Sequence, residues 1–192
     1  MAERQNPNFI KGHQFDLKQI RLDLYRLVCY FEASRPMAEM MEGQTVTEEW
    51  SIDSFPSEFF EDEVSRILLQ SAIVLRILDD ESQADPEERI PFVCGDLEQA
   101  GHETALTLRE ACNKILHAKT INFDVAATQS VTPHSKKVGA YFNPLVYLYG
   151  TQHNKEWRAT IKMRVFLNHA ARLLRAQTLS EHIEWETKYG RT

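Results

Sequence analysis

The stretch from Leu97 to Ala118, LEQAGHETALTLREACNKILHA, limits the possible folds most, because its spacing is that of one long amphipathic helix. At about 100° per residue one side collects apolar residues, namely Leu97, Ala105, Leu108, Cys112 and Ile115. The opposite side carries a polar row, namely His102, Arg109, Asn113 and His117. Asp96 and Gln99 are placed to cap such a helix. We therefore expect one face in a core and the other in solvent.

Helical spacing also marks most of the remaining chain. Apolar residues recur every three or four positions, which predicts helices over residues 16–34, from residue 53 or 54 to about residue 78, and over residues 165–177. Pro36 is expected to end or kink the first of these helices. A short final helix is predicted to follow Thr178, and residues 1–14 read as a flexible polar tail.

A different pattern separates the third and fourth principal helices. Residues 145–149 are all apolar or aromatic, residues 157–163 alternate between apolar and polar, and a polar turn lies between the two segments at residues 150–154. This pattern predicts a β-hairpin over residues 145–163. The predicted fold class is mostly α, a bundle of four principal helices with the hairpin inserted before the last long helix. We expect one domain over residues 1–192.

Charge is distributed unevenly, although the whole chain carries −6. Residues 1–124 hold 12 basic and 24 acidic residues, whereas residues 125–180 hold eight basic residues and one acidic residue. A basic half attached to an acidic half suggests a polyanion partner such as RNA, although ordinary solvated surface explains it equally well. The residues expected to follow a phosphate backbone are Arg158, Lys162, Arg164, Arg172 and Arg175.

The sequence predicts a cytoplasmic protein without a metal site or cofactor. Its apolar runs are shorter than a membrane span and its N-terminus lacks an apolar signal core, so we expect no membrane association. Three cysteines cannot all pair within one chain, and we expect Cys29, Cys94 and Cys112 to be reduced. None of them forms a Cys or Cys/His pair at zinc spacing.

The string LREACNKILHA resembles the signature of the HEPN family of helical domains. In that signature an Arg and a His lie on one helix, separated by four to six residues that often include Asn. The pattern maps onto Arg109, Asn113 and His117, here with seven residues between Arg109 and His117. The resemblance implies a bundle of four or five helices. It also implies metal-independent endoribonuclease activity, of a toxin–antitoxin or phage-defence type, in a homodimer with a possible cognate antitoxin or regulatory protein.

The residue types suit that chemistry. His117 can move a proton during attack of a ribose 2′-hydroxyl on the neighbouring phosphate, because an imidazole titrates near neutral pH. Arg109 can hold the phosphate with two hydrogen bonds and stabilise its developing charge. Asn113 can orient the imidazole or bind a phosphate oxygen. Glu110 can set the His tautomer or instead pair with Arg109 or Lys114, and His102 is a weaker supporting candidate.

Other interpretations of these residues stay open, and so does whether the chain is an enzyme. Each residue on its own is ordinary surface, and a His near a helix C-terminus is favoured by the helix dipole. The alternative function is a non-catalytic HEPN-like module or adaptor that binds RNA or nucleotide or forms dimers. Leu106 projects from the polar face of the predicted helix, so we expect a twofold homodimer to bury it.

Overall fold

A computed structural model describes residues 16–40, 55–81, 92–127 and 140–189, which form four helices and five strands. The helices are α1 (Leu17–Met40), α2 (Phe55–Glu81), α3 (Leu108–His117) and α4 (Met163–Tyr189). The strands are β1 (Val93–Gln99), β2 (His102–Thr107), β3 (Thr120–Ala127), β4 (Ala140–Gln152) and β5 (Lys155–Lys162). The prediction of a mostly α bundle is wrong, because all five strands join one sheet.

The sheet has the strand order β2-β1-β5-β4-β3, and every neighbouring pair is antiparallel. Side chains on a strand alternate between its two faces, and directly paired residues share a face. On one face β4 and β5 bury Val146, Leu148, Trp157, Ala159 and Ile161 in a core shared with residues of all four helices. We call the other side of the sheet, which none of the described helices covers, the open face.

The central stretch is the largest departure from the sequence prediction. Instead of one helix, residues 97–118 contain the end of β1, the whole of β2 and then α3. Ala100 and Gly101 make the turn between the strands, with φ of 52° and 78°, values incompatible with a helix. The helix begins only after Thr107, whose side chain accepts a hydrogen bond from the backbone N–H of Glu110. Asp96 lies within β1 and caps no helix.

The predicted hairpin and the other three principal helices are confirmed. β4 and β5 pair from Leu145↔Lys162 to Gln152↔Lys155. α1 continues through Pro36 to Met40, beyond the predicted end. α4 is one continuous helix to Tyr189, so the separate final helix is wrong. The predicted tail over residues 1–14 lies outside the described residues.

The core is anchored at two places. Four phenylalanines join α1 and α2 to the sheet, with the rings of Phe60 and Phe142 stacked at 3.7 Å between centroids and Phe31 and Phe123 edge-on to Phe60. At the hairpin end, Gly150 leaves room for the ring of Trp157 on the neighbouring strand. The buried Lys114 of α3 places its ammonium 4.6 Å from the Trp157 ring centroid. This contact helps to fix α3 against the hairpin.

The described residues contain neither a candidate membrane span nor a candidate metal site. No described helix is long and apolar enough to cross a bilayer. Among the same residues, no group of three or more His, Cys, Asp or Glu side chains is placed to hold a metal ion. The three cysteines are free thiols. Burial raises the pKa of Cys94 and of Cys112 to about 12, so both stay protonated at neutral pH.

Candidate functional site

The polar face of α3 lies against the C-terminal end of α2. Arg109 forms ion pairs with Asp79 and Asp80, and its Nη1 lies 2.6 Å from the Asp80 carboxylate. Asn113 accepts a hydrogen bond of 2.8 Å from Nε of Arg76, which itself pairs with Asp80. Helical spacing predicted Arg109 and Asn113 on one face of the helix, and in the structure both residues face α2. That face forms a helix–helix contact instead of an open site.

These ion pairs have a direct electrostatic consequence. The hydrogen bond with Asp79 raises the pKa of Arg109, and the hydrogen bond with Arg76 lowers the pKa of Asp80, with Arg109 adding to that effect. Both groups are therefore held in their charged forms. A phosphate oxygen would have to compete with two carboxylates for Arg109.

Acidification is expected to weaken the contact between α2 and α3. A carboxylate whose pKa is lowered by folding stabilises the native state above its ordinary pKa, near 3.8, and this stabilisation is lost as pH falls through the lower native value. Urea unfolding at pH 6 and pH 3 should therefore show a smaller pH dependence for Asp80→Asn than for the wild type. An identical dependence in the two proteins would mean that Asp80 contributes nothing.

The structure separates His117 from Arg109. Arg109 is the second residue of α3 and the exposed His117 is the last, so about 12 Å of helix axis lies between them. Glu110 contacts Lys114 at 3.3 Å and accepts a hydrogen bond of 3.4 Å from Asn113, so its observed partners do not include His117. His102, an exposed residue, begins β2 instead of sharing a helix with the others.

An aromatic and basic cluster lies on the open face. The guanidinium of Arg158 on β5 is 5.1 Å from the ring centroid of Tyr147 and 5.9 Å from that of Tyr149, both on β4. Tyr149 pairs directly with Arg158, and Tyr147 with Thr160. Both rings are partly accessible and Arg158 is exposed. We call Tyr147, Tyr149 and Arg158 the tyrosine–arginine cluster.

Next to this cluster is a shallow cleft of about 550 Å³ at the end of the sheet that carries both strand turns. Its lining comes from β1, β4, β5 and the Ala100–Gly101 turn, and includes Tyr149, Lys155 and Arg158. The C-terminus of α3 reaches the same end of the sheet, because the backbone N–H of Lys119 donates a 2.8 Å hydrogen bond to the carbonyl of Tyr149. His117 is two residues before Lys119.

Acidic residues on β1 border the same face. Glu98 pairs directly with Arg158, and Asp96 lies 2.9 Å from the ammonium of Lys162. On the other side of the cluster, β3 contributes the uncharged Thr120 and Asn122, which pair with Tyr149 and Tyr147. The exposed Glu156 lies on the same side of β5 as Arg158, so acidic side chains border the cluster on β5 as well as on β1.

The five basic residues predicted to contact RNA do not form one track. Arg158 and Lys162 lie on the open face. Arg164 holds Glu32 of α1 with two hydrogen bonds of 2.6 Å, which lowers the pKa of that carboxyl. Arg172 and Arg175 are exposed on α4. Leu106 is fully buried and cannot form the dimer contact predicted for it.

Sequence reasoning missed the two tyrosines. Residues Leu145–Tyr149 read as a continuous apolar and aromatic segment, which favours burial on both faces. The available signal was the alternation in β5, where Arg158, Thr160 and Lys162 mark the polar side of the hairpin and the pairing puts Tyr147 and Tyr149 on that same side.

Neither family models nor curated proteins nor solved structures gave a significant match to this chain.

Proposed function

We propose that this chain binds single-stranded RNA on the open face of its sheet. The observation that carries the proposal is the tyrosine–arginine cluster, in which Arg158 lies close to two accessible tyrosine rings. Aromatic rings on a sheet surface can stack unpaired bases, and an adjacent guanidinium can stack on a base or pair with a phosphate. Bases within a duplex are already stacked, so the same surface favours single strands.

The path of the strand follows from the charges around the cluster. Thr120 and Asn122 on β3 offer hydrogen-bonding groups without negative charge, whereas Glu98 on β1 repels phosphate. The strand would run over β3 and β4 to Arg158, away from the cleft that Glu98 and Glu156 line. The proposal includes a cytoplasmic location, where RNA is present and free cysteines remain reduced.

Replacing Tyr149 by Leu should weaken RNA binding by about tenfold or more, since stacking on an aromatic side chain contributes about 1–3 kcal/mol per base. Leucine keeps apolar volume on the strand and removes only the aromatic face. Fluorescence anisotropy with a labelled uridine oligonucleotide at fixed salt measures the effect. Arg158→Ala should weaken binding and also reduce its salt dependence, because one phosphate contact is lost.

Two variants serve as controls for this experiment. Arg172→Ala removes one positive charge from α4, away from the open face, and should leave binding within about twofold. Glu98→Gln removes the acid paired with Arg158 and should strengthen binding. If Tyr149→Leu and Arg172→Ala bind equally well, the open face does not bind the oligonucleotide.

A second candidate is metal-independent cleavage of RNA, and one specific observation favours it. His117 is exposed at the end of α3, and the Lys119–Tyr149 hydrogen bond brings that end of the helix to the strand carrying the tyrosine–arginine cluster. Helix α3 packs on the core side of the sheet, so a strand bound on the open face would reach His117 by passing around the end of β4, and histidine is the side chain that most often acts as a general acid or base. RNA incubated with the protein and EDTA separates cleavage from binding alone. A cognate antitoxin or regulatory protein remains a prediction.

A further inference from the structure

Asn122 is an unusual residue for the middle of a strand, because asparagine is among the residue types that are depleted in β-sheets. Its side chain is exposed on β3, and no described residue forms a hydrogen bond with its amide. The amides of two other asparagines are occupied, since Asn113 accepts a hydrogen bond from Arg76 and Asn143 donates one of 2.9 Å to Asp124. Nothing in the described part of the chain therefore accounts for an asparagine at this position.

The register of the sheet places Asn122 beside Tyr147. The two residues are directly paired on β3 and β4, and the Cβ atoms of such a pair are about 4.5–5.5 Å apart. Thr120 is paired with Tyr149 in the same way. Arg158 approaches both rings from β5, on the opposite side of β4. A base stacked on Tyr147 would therefore have the amide of Asn122 next to one of its edges.

The two tyrosines of the cluster are spaced for two separate bases. Tyr147 and Tyr149 are two residues apart on β4, and a strand rises by about 3.4 Å per residue, so their side chains stand about 7 Å apart. Bases stacked on each other in a duplex are only about 3.4 Å apart. Consecutive bases bound to the two rings would be separated from each other, and their edges would be open to contacts from β3.

We propose that Asn122 recognises an adenine stacked on Tyr147, an inference that rests on the proposed function. An asparagine amide presents a donor beside an acceptor, so it forms two hydrogen bonds with a base edge that presents an acceptor beside a donor. Adenine has such a pair on its Watson–Crick edge and another on its Hoogsteen edge, whereas guanine, cytosine and uracil have none on the Hoogsteen edge. Adenine therefore matches Asn122 whichever of these two edges faces β3.

Short uridine oligonucleotides with one central replacement test this recognition by fluorescence anisotropy at fixed salt. The wild type should bind the oligonucleotide with one adenine about tenfold more tightly than the one with one guanine, which is also a purine and stacks over a similar area. Asn122→Val should bring these two affinities within about twofold of each other and change the affinity for the all-uridine oligonucleotide by no more than about threefold. Tyr147→Leu should also remove the preference, because it removes the ring that holds the base beside Asn122.

Asn168→Ala is the matched control, because Asn168 is exposed on α4 and its loss takes no amide from the open face. It should keep the preference for adenine, and far-UV circular dichroism checks that each variant is folded. Equal binding of the adenine and guanine oligonucleotides by the wild type, or an unchanged preference in Asn122→Val, would overturn the inference. If Tyr149→Leu still weakens binding of the uridine oligonucleotide in that case, the proposed function stands without it. A wild type that binds none of the oligonucleotides overturns both.

Discussion

Gly95→Ala is expected to lower the free energy of unfolding by about 3 kcal/mol or more, at the upper end of what overpacking costs. A Cβ atom on Gly95 would lie 1.9 Å from the carbonyl oxygen of Thr160 on β5. That oxygen belongs to the backbone, so relief requires β1 to move away from β5. β1 also carries β2, and the displacement would disturb two strand pairs. Urea unfolding followed by circular dichroism measures the loss.

Gly101→Ala provides the matched control for this prediction. Gly101 has φ of 78° in the turn between β1 and β2, and a Cβ there would meet nothing within 4 Å. Only the left-handed backbone opposes the substitution, at a cost of about 1–2 kcal/mol. If Gly95→Ala and Gly101→Ala destabilise the protein equally, the close approach of Thr160 to β1 is not a constraint on the sequence.

The failure of the helix prediction over residues 97–107 has a physical cause. Leu97 and Ala105 fit a helical stripe by coincidence, and Ala105 proves to be exposed. β1 pairs locally with β2 across the Ala100–Gly101 turn, but its pairing with β5, for example Gly95 with Ile161, is remote in sequence and no local periodicity reports it. One local signal was present. Thr107 with Glu110 has the spacing of a capping box and marks the true start of α3.

The prediction was better where burial alone decides the structure. α1, α2 and α4 each bury a stripe repeated every three or four residues, which a sequence displays directly. The hairpin was predictable for the same reason, since the buried Trp157, Ala159 and Ile161 alternate with polar residues. The sequence pattern did not predict the other strands of the sheet around the hairpin. The sequence between β3 and β4 lacks the short turn motif that would mark them as a strand pair.

The candidate site shows the same limit of sequence periodicity, which predicts the face of a residue but not its partners. Helical spacing correctly placed Arg109 and Asn113 on a different face of the helix from the buried Cys112 and Ile115. It could not distinguish a polar face in solvent from one paired with another helix, because both have the same composition. Here Asp79 and Asp80 of α2 supply the partners of Arg109. Three of the five residues predicted to contact RNA, namely Arg164, Arg172 and Arg175, belong to α4 and so lie away from the surface of the hairpin.

For the ribonuclease candidate, His117→Ala is expected to lower the cleavage rate by about 10²–10⁴-fold, the usual contribution of general acid–base catalysis. His117 is exposed at the end of α3, so its truncation leaves no cavity, and stability should change by about 0.5 kcal/mol at most. Arg109→Ala should behave differently. Asp79 and Asp80 would lose the cation that they share, whereas Arg76 still pairs with Asp80, and a stability loss of up to about 1 kcal/mol is expected for such partly exposed pairs.

Two measurements on both variants separate a catalytic role from a structural one. The first is cleavage of a labelled RNA in the presence of EDTA, and the second is unfolding in urea. We expect Arg109→Ala to keep its cleavage rate within about threefold, because roughly 12 Å of helix lies between Arg109 and His117 and two carboxylates hold the guanidinium. A loss of cleavage equal to that of His117→Ala, in a protein of unchanged stability, would mean that phosphate displaces Asp79 and Asp80 and that both side chains act on one substrate. A wild type that binds RNA without cleaving it excludes the ribonuclease candidate and leaves RNA binding as the proposed function.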